Sequence, residues 1–208
     1  TGETATLDVN FAKAPNLYGY QFIVHYDPAV SAVGEFVNTW FDTAHDSMVP
    51  SGWNAACANG VCQFAVTKQV PGIPPATASG TVARITFTGL TPGTANVSFS
   101  DVILADRDGQ QIPQTLNGAT ITVCGFATVN GTVRLQGRGT TPIDAGTVTL
   151  TDPAGFFGPY TTNFSAANGT YSISNIKVMP GAGTTYQFDA AHLLYLGNRG
   201  TYALVQGI

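Results

Sequence analysis

The sequence predicts an all-β chain folded as two β-sandwiches, and three observations carry that expectation. Charged residues make up only 10% of the 208, whereas Gly (24) and Pro (12) are abundant; both oppose helices, Gly through backbone entropy and Pro through its missing donor. Apolar and polar residues alternate at period two along most of the chain, as half-buried strands require. Turn signals separate the alternating runs at the short intervals of a sandwich.

Composition also excludes partners. The net charge is −4, with eight basic residues scattered along the chain, so no Lys/Arg stripe exists to neutralise phosphates. Neither nucleic acid nor an anionic membrane surface is an expected partner. Apolar runs are broken by Thr, Gly or Asn well short of the roughly 20 residues that span a bilayer, so membrane insertion is not expected. An apolar fraction of 44% with 11% aromatics is enough to offset chain entropy, which excludes disorder. Starting at Thr1, the chain reads as a processed or excised piece whose export signal would lie outside it.

The first unit covers residues 1–124. Ala5, Leu7, Val9 and Phe11 alternate with Thr6, Asp8 and Asn10, and Tyr18, Tyr20, Phe22, Val24 and Tyr26 alternate with Gly19, Gln21, Ile23 and His25. The aromatic set is the core face of its strand. After Asp27-Pro28 a short helical turn is expected. Further strands fit 61–67, 81–88, 94–99, 102–105 and 119–123, with turns at Asn59-Gly60, 71–75, 91–93, 106–109 and Asn117-Gly118.

Three cysteines refine this reading. Cys57-Ala-Asn-Gly-Val-Cys62 holds the Asn-Gly pair preferred by a two-residue type I′ hairpin. In that hairpin Ala58 and Val61 close the turn, and Cys57 faces Cys62 at the short spacing that suits a disulfide. Cys124 lies outside the pair. A disulfide implies an oxidising, extracytoplasmic setting.

A second unit, 125–208, restarts the alternation at Val129-Asn130-Gly131-Thr132-Val133. Its expected strands are 127–135, 146–151, 160–164, 169–174, 184–190 and 200–205.

The segments Gly2-Glu3-Thr4-Ala5-Thr6-Leu7-Asp8-Val9, Asn16-Leu17-Tyr18-Gly19-Tyr20-Gln21-Phe22 and Tyr26-Asp27-Pro28-Ala29-Val30 resemble the opening of bacterial cohesin domains. Gly80 to Phe87, Val97-Ser98-Phe99, Asp106-Arg107-Asp108-Gly109 and Asn117 to Val123 continue the resemblance in order. It implies a nine-stranded jelly-roll sandwich, exported and non-catalytic, that holds a calcium-loaded dockerin on one flat sheet face. Its superfamily also contains carbohydrate-binding modules. Gly19 and Gln21 stand where type I members often carry Asn and Asp. Residues 125–208 resemble carboxypeptidase regulatory-like, transthyretin-type domains through Val129 to Leu135, Gly146 to Leu150, Asn168-Gly169-Thr170-Tyr171-Ser172-Ile173 and Tyr195-Leu196. That resemblance implies a seven-stranded accessory sandwich.

The expected partner face takes outward residues from three strands read as adjoining: Gln21, Ile23 and His25; Gln63, Ala65 and Thr67; Val82, Arg84 and Thr86. Its low charge suits a docking surface, although a loop or the second unit could equally cover it. Trp40 and Trp53 flank a long loop, where they either stack on sugar rings of a polysaccharide or cap a core. Asp106 and Asp108, two apart before Gly109, suit either a loose Ca²⁺ site or an Asp-Gly turn, but an EF-hand lacks its terminal acidic ligand. His45-Asp46-Ser47 is a poor triad, because neighbours in sequence rarely converge in hydrogen-bond order. The expected function is therefore non-enzymatic docking by an extracellular monomer. Polysaccharide binding and a structural stalk are the alternatives.

Overall fold

The structure, a computed structural model, describes residues 2–37, 47–69, 76–135, 146–192 and 195–206. The chain forms two compact units, Thr1–Ile121 and Thr122–Ile208, and no helix occurs among the described residues.

In the first unit, strands β1 (Thr4–Leu17), β7 (Ala76–Gly89) and β3 (Val30–Phe36) form one antiparallel sheet in the order β1-β7-β3. The other sheet has the order β4-β6-β2-β8-β9, built from β4 (Ser47–Met48), β6 (Val61–Lys68), β2 (Gly19–His25), β8 (Gly93–Ala105) and β9 (Ala119–Val123). Strand β5 (Asn54–Ala58) also pairs with β6. Core side chains come from alternate positions of both sheets. Ile85 and Phe87 on β7, Tyr20, Phe22 and Val24 on β2, Phe64 and Val66 on β6, and Val97 on β8 are all buried.

Several strands outrun the expected alternation because one or two left-handed residues reset their phase. On β1, Lys13 (φ 54°) and Asn16 (φ 55°) accompany register shifts, and the buried positions run Val9, Ala14, Leu17. The expected pair of strands 94–99 and 102–105 is one strand bent at Asp101 (φ 49°). An inserted residue moves every later side chain to the other face unless the strand kinks to restore it. Here inward Val97 gives way to inward Leu104.

The helical turn expected after Pro28 is replaced by a tight turn, in which the Asp27 carboxylate accepts from Ala29 N at 2.8 Å and Asp27 O from Val30 N at 3.1 Å. Strand β3 follows at once. Its sheet-inward positions are Val30, Ala32, Gly34 and Phe36, so two small residues blunt its alternation. The smaller of them has a cause: a Cβ on Gly34 would collide with the Ala55 carbonyl oxygen and come 2.8 Å from Cys57 Sγ.

The β5–β6 hairpin has the expected register, Ala58 opposite Val61 and Cys57 opposite Cys62. Asn59 (φ 51°) and Gly60 (φ 83°) both take the left-handed conformation of a type I′ turn. The Cys57–Cys62 disulfide is present, with Cα atoms 4.1 Å apart.

The second unit has six strands among the described residues. A two-stranded sheet, β10 (Gly125–Thr132) with β13 (Thr170–Val178), accompanies a four-stranded one in the order β12-β11-β14-β15. These are β12 (Tyr160–Phe164), β11 (Gly146–Thr151), β14 (Thr184–His192) and β15 (Tyr195–Leu204). Val148, Leu150, Phe164, Ile173, Ile176, Val178 and Tyr186 form the core. Strand β13 continues past the expected Ser174 because Asn175 (φ 57°) resets its phase, bringing Ile176 and Val178 inward after Ile173. Buried Asp152 organises the turn after β11, accepting from the amides of Ala154, Phe156 and Phe157 at 2.9–3.2 Å.

Tyr20 and Tyr186 are 3% and 0% exposed. Burial pushes both phenols well above their ordinary range, and for Tyr186 the neighbouring Tyr160 adds to the shift. Both must stay neutral in the fold, so the stability this gives is complete below the ordinary value of about 10 and is lost as pH rises through the raised folded values. Alkaline titration followed by phenolate absorbance and circular dichroism should therefore show two tyrosines ionising only as the fold is lost. Reversible ionisation of all eight in folded protein would contradict this packing.

Closing so short a loop, the disulfide should contribute about 2 kcal/mol. Non-reducing peptide mapping should return the Cys57–Cys62 link, and reduction should lower the unfolding free energy by about that amount. Recovery of Cys124 crosslinked to either residue would refute the hairpin register.

Candidate functional site

The site is the outer face of the β6-β2-β8 group. Because Tyr20, Phe22 and Val24 point inward, Gln21, Ile23 and His25 must point outward, and all three are half-buried. Register brings the β6 candidates beside them: Gly19 opposite Thr67, Gln21 opposite Ala65 and Ile23 opposite Gln63. Ala65 is only 3% exposed and adds little surface of its own. Six of the nine expected face residues are thus together.

The other three are not. Val82, Arg84 and Thr86 lie on β7, in the opposite sheet. Alternation shows which side chains share a face of one strand, but not which sheet the strand joins. Val82 is moreover fully buried, at the register shift where Val9 pairs with Ala83 and Asn10 with Thr81. Arg84 binds Asp8 through two hydrogen bonds, Nε to Oδ1 at 2.8 Å and Nη2 to Oδ2 at 3.3 Å. That hydrogen bonding holds the Asp8 carboxyl below its usual range and raises the guanidinium. Thr86 pairs its hydroxyl with that of Thr6 at 3.4 Å, and Glu35 sits in register with Arg84. This is a charged, solvated face.

The place that β7 was expected to fill belongs to β8. Ile103 lies opposite Gln21, Ser100 opposite Ile23 and Ser98 opposite His25. Ile103 is 42% exposed. The polar positions Ser98 and Ser100, alternating with Val97 and Phe99, were the sequence signal for this surface. What sequence could not supply was the pairing of β8 with β2.

Between those registered positions Asp101 bulges from β8. Ser100 Oγ donates to Asp101 Oδ2 at 3.5 Å and lies 2.7 Å from His25 Nε2, while Gln21 Nε2 donates to the Asp101 carbonyl at 3.4 Å. A nucleophilic triad needs the imidazole between hydroxyl and carboxylate. Here the hydroxyl is in the middle, so the carboxylate does not orient the imidazole as a triad requires.

The remaining candidates stand apart from this face. Asp106 uses Oδ1 to accept from the amides of Asp108 and Gln110, at 3.0 and 2.8 Å, which is the geometry of a capped turn. Among the described residues no three His, Cys, Asp or Glu side chains converge as a metal site. Trp53 is half-buried in the turn before β5, where its amide donates to Pro50 O at 3.1 Å. Trp40, with His45 and Asp46, lies outside the described residues.

Among solved structures, the chain is similar to the sixth cohesin of scaffoldin B from Acetivibrio cellulolyticus, solved in complex with a Cel5 dockerin variant. Identity is 12%, with 59% of this chain and 89% of that one covered and a TM-score of 0.47. It is similar too to a non-cellulosomal cohesin from the archaeon Archaeoglobus fulgidus, at 11% identity, 54% and 74% coverage and a TM-score of 0.37. Against the type II cohesin dyad of the adaptor scaffoldin ScaA from Acetivibrio cellulolyticus, identity is 16%, coverage 93% and 85%, and the TM-score 0.40. No curated protein matches the chain. The sequence pattern of the Cohesin domain matches residues 1–123, more than half of the 208, and the chain therefore belongs to the cohesin domain family.

Proposed function

We propose that the first unit is a non-catalytic docking module that receives a calcium-loaded dockerin-type protein on the outer face of β6-β2-β8. One observation carries the choice of face: the two outer faces of the sandwich differ in charge. The β1-β7-β3 face carries Asp8, Arg84 and Glu35, whereas the outward positions of β2 and β6 carry Gly, Gln, Ile, His, Val, Ala and Thr. With Asp101 of β8 as its one ion, this face loses less on desolvation than the other, which is what the centre of an interface requires. Family membership supplies the partner class.

Around this core reading we place a nine-stranded jelly roll for the first unit and a transthyretin-type accessory sandwich for the second. The Cys57–Cys62 disulfide favours an exported, extracellular setting. No helix among the described residues is long and apolar enough to cross a membrane.

The test is Ile23→Asp, since Ile23 lies beside Gln63 and Ser100 at the middle of the face. A charge placed at an interface centre should cost about 2 kcal/mol or more, roughly thirtyfold in affinity. Surface plasmon resonance against calcium-loaded dockerins should show that loss with an unchanged thermal midpoint. Unfolding of Ile23→Asp would mean the face is covered. Full dockerin binding by the variant, with Trp53→Ala abolishing retention on insoluble polysaccharide, would favour carbohydrate binding instead.

A further inference from the structure

Resting on this docking reading, we infer that Asp101 is a specificity residue of the face, and that the partner presents a Lys or Arg side chain to it. Asp101 is the only formally charged residue set among the outward positions of β2, β6 and β8. It reaches that place through a bulge: β2 and β8 pair Gln21 with Ile103 and Ile23 with Ser100, so Asp101 and Val102 occupy the irregular step between them. The carboxylate thus lies beside the middle of a neutral face.

Two facts argue that the side chain is kept for something outside the chain. Its φ of 49° is left-handed, a conformation that glycine adopts without penalty and that Asp tolerates only at a cost. The carboxylate also does little for its own fold. It is exposed, its one contact is the 3.5 Å approach of Ser100 Oγ, and among the described residues no Lys or Arg pairs with it. The backbone carbonyl of Asp101, not the side chain, receives Gln21.

The hydrogen-bond order points the same way. With His25 in its Nε2–H tautomer, Ser100 Oγ accepts from the ring at 2.7 Å and its one proton is left for Asp101. Gln21, His25 and Ser100 are then satisfied locally, while most of the carboxylate's acceptor capacity faces outward. A partner that covered this face without a cation would strand an unpaired carboxylate at the interface, which discriminates strongly against it. A guanidinium or ammonium opposite the bulge removes that penalty and adds a charge-assisted hydrogen bond.

The probe is a calcium-loaded dockerin that binds the native chain in a dockerin array, together with single Lys→Glu and Arg→Glu variants of that dockerin. Asp101→Asn should weaken binding about tenfold or more and flatten its salt dependence between about 0.05 and 0.5 M NaCl. Asp101→Gly should bind as poorly as Asp101→Asn while melting at or above the native temperature. One Lys→Glu or Arg→Glu variant should lose binding to the native chain and regain it with Asp101→Lys. Native affinity in both Asp101→Asn and Asp101→Gly, or rescue by no charge exchange, would overturn the assignment. If Ile23→Asp still abolished binding in that case, the docking face would stand without it. Absence of any binder in the array would overturn the docking reading and this inference together.

Discussion

The packing of Phe22 determines where everything else on the first unit can lie. Its ring meets Phe11 of β1 at 5.9 Å, Phe64 of β6 at 5.1 Å and Phe99 of β8 at 6.1 Å between centroids, so one side chain ties together strands of both sheets. Aromatic pairs in such stacked and edge-on arrangements add specific geometry to the area they bury. Since the side-chain period of a strand is two, a slip of one residue in β2 would send Phe22 to the solvent and Gln21 or Ile23 into the core. The inward cluster therefore fixes the outward face: Gln21, Ile23 and His25 point outward because Tyr20, Phe22 and Val24 cannot.

That dependence explains what was legible in the sequence. Aromatic residues and one valine at every second position of 18–26 marked β2 and, by elimination, its outer face. The Cys57–Cys62 hairpin was legible because its determinants, Asn59 and Gly60, are local. Partner strands were legible only in part: β6 was read beside β2 and does pair with it, but the other neighbour is β8, and β7, with equally good alternation, went to the other sheet. Nor were the phase resets at Lys13, Asn16, Asp101 and Asn175, since none is a glycine and nothing in composition marks a left-handed Lys. They ended the readable alternation early on β1 and β13 and split β8 in two.

In the second unit small residues and aromatics share the work of packing. Gly131 lies in register with Tyr171, and a Cβ there would overlap the tyrosine ring; Gly146 lies in register with Phe164 and meets its ring in the same way. Tyr202 folds back over Gly200, which itself faces Phe188. An aromatic ring laid across a glycine covers backbone that would otherwise be open to water, and it fills the gap left by the missing side chain. This makes Gly131, Gly146 and Gly200 part of the packing, where composition alone presented glycine as a residue that opposes helices.

The same economy of side-chain size shapes the proposed docking face. A Cβ on Gly19 would stand 3.0 Å from Thr67 Oγ1, and Ala65 is almost wholly buried between its neighbours, so this corner of the sheet is low and a partner can approach the backbone. Flatness alone would invite self-association if the surface were purely apolar. Here hydroxyls and amides of Ser98, Ser100, Gln21, Gln63 and Thr67 are interleaved with Ile23 and Ile103, which keeps water on the free face with Asp101 as its single charge. On the opposite face, the Asp8–Arg84 pair and Glu35 hold water far more firmly. A sandwich so divided presents one face that can be dehydrated at lower cost than the other, and this asymmetry is the physical basis for proposing the docking role for β6-β2-β8.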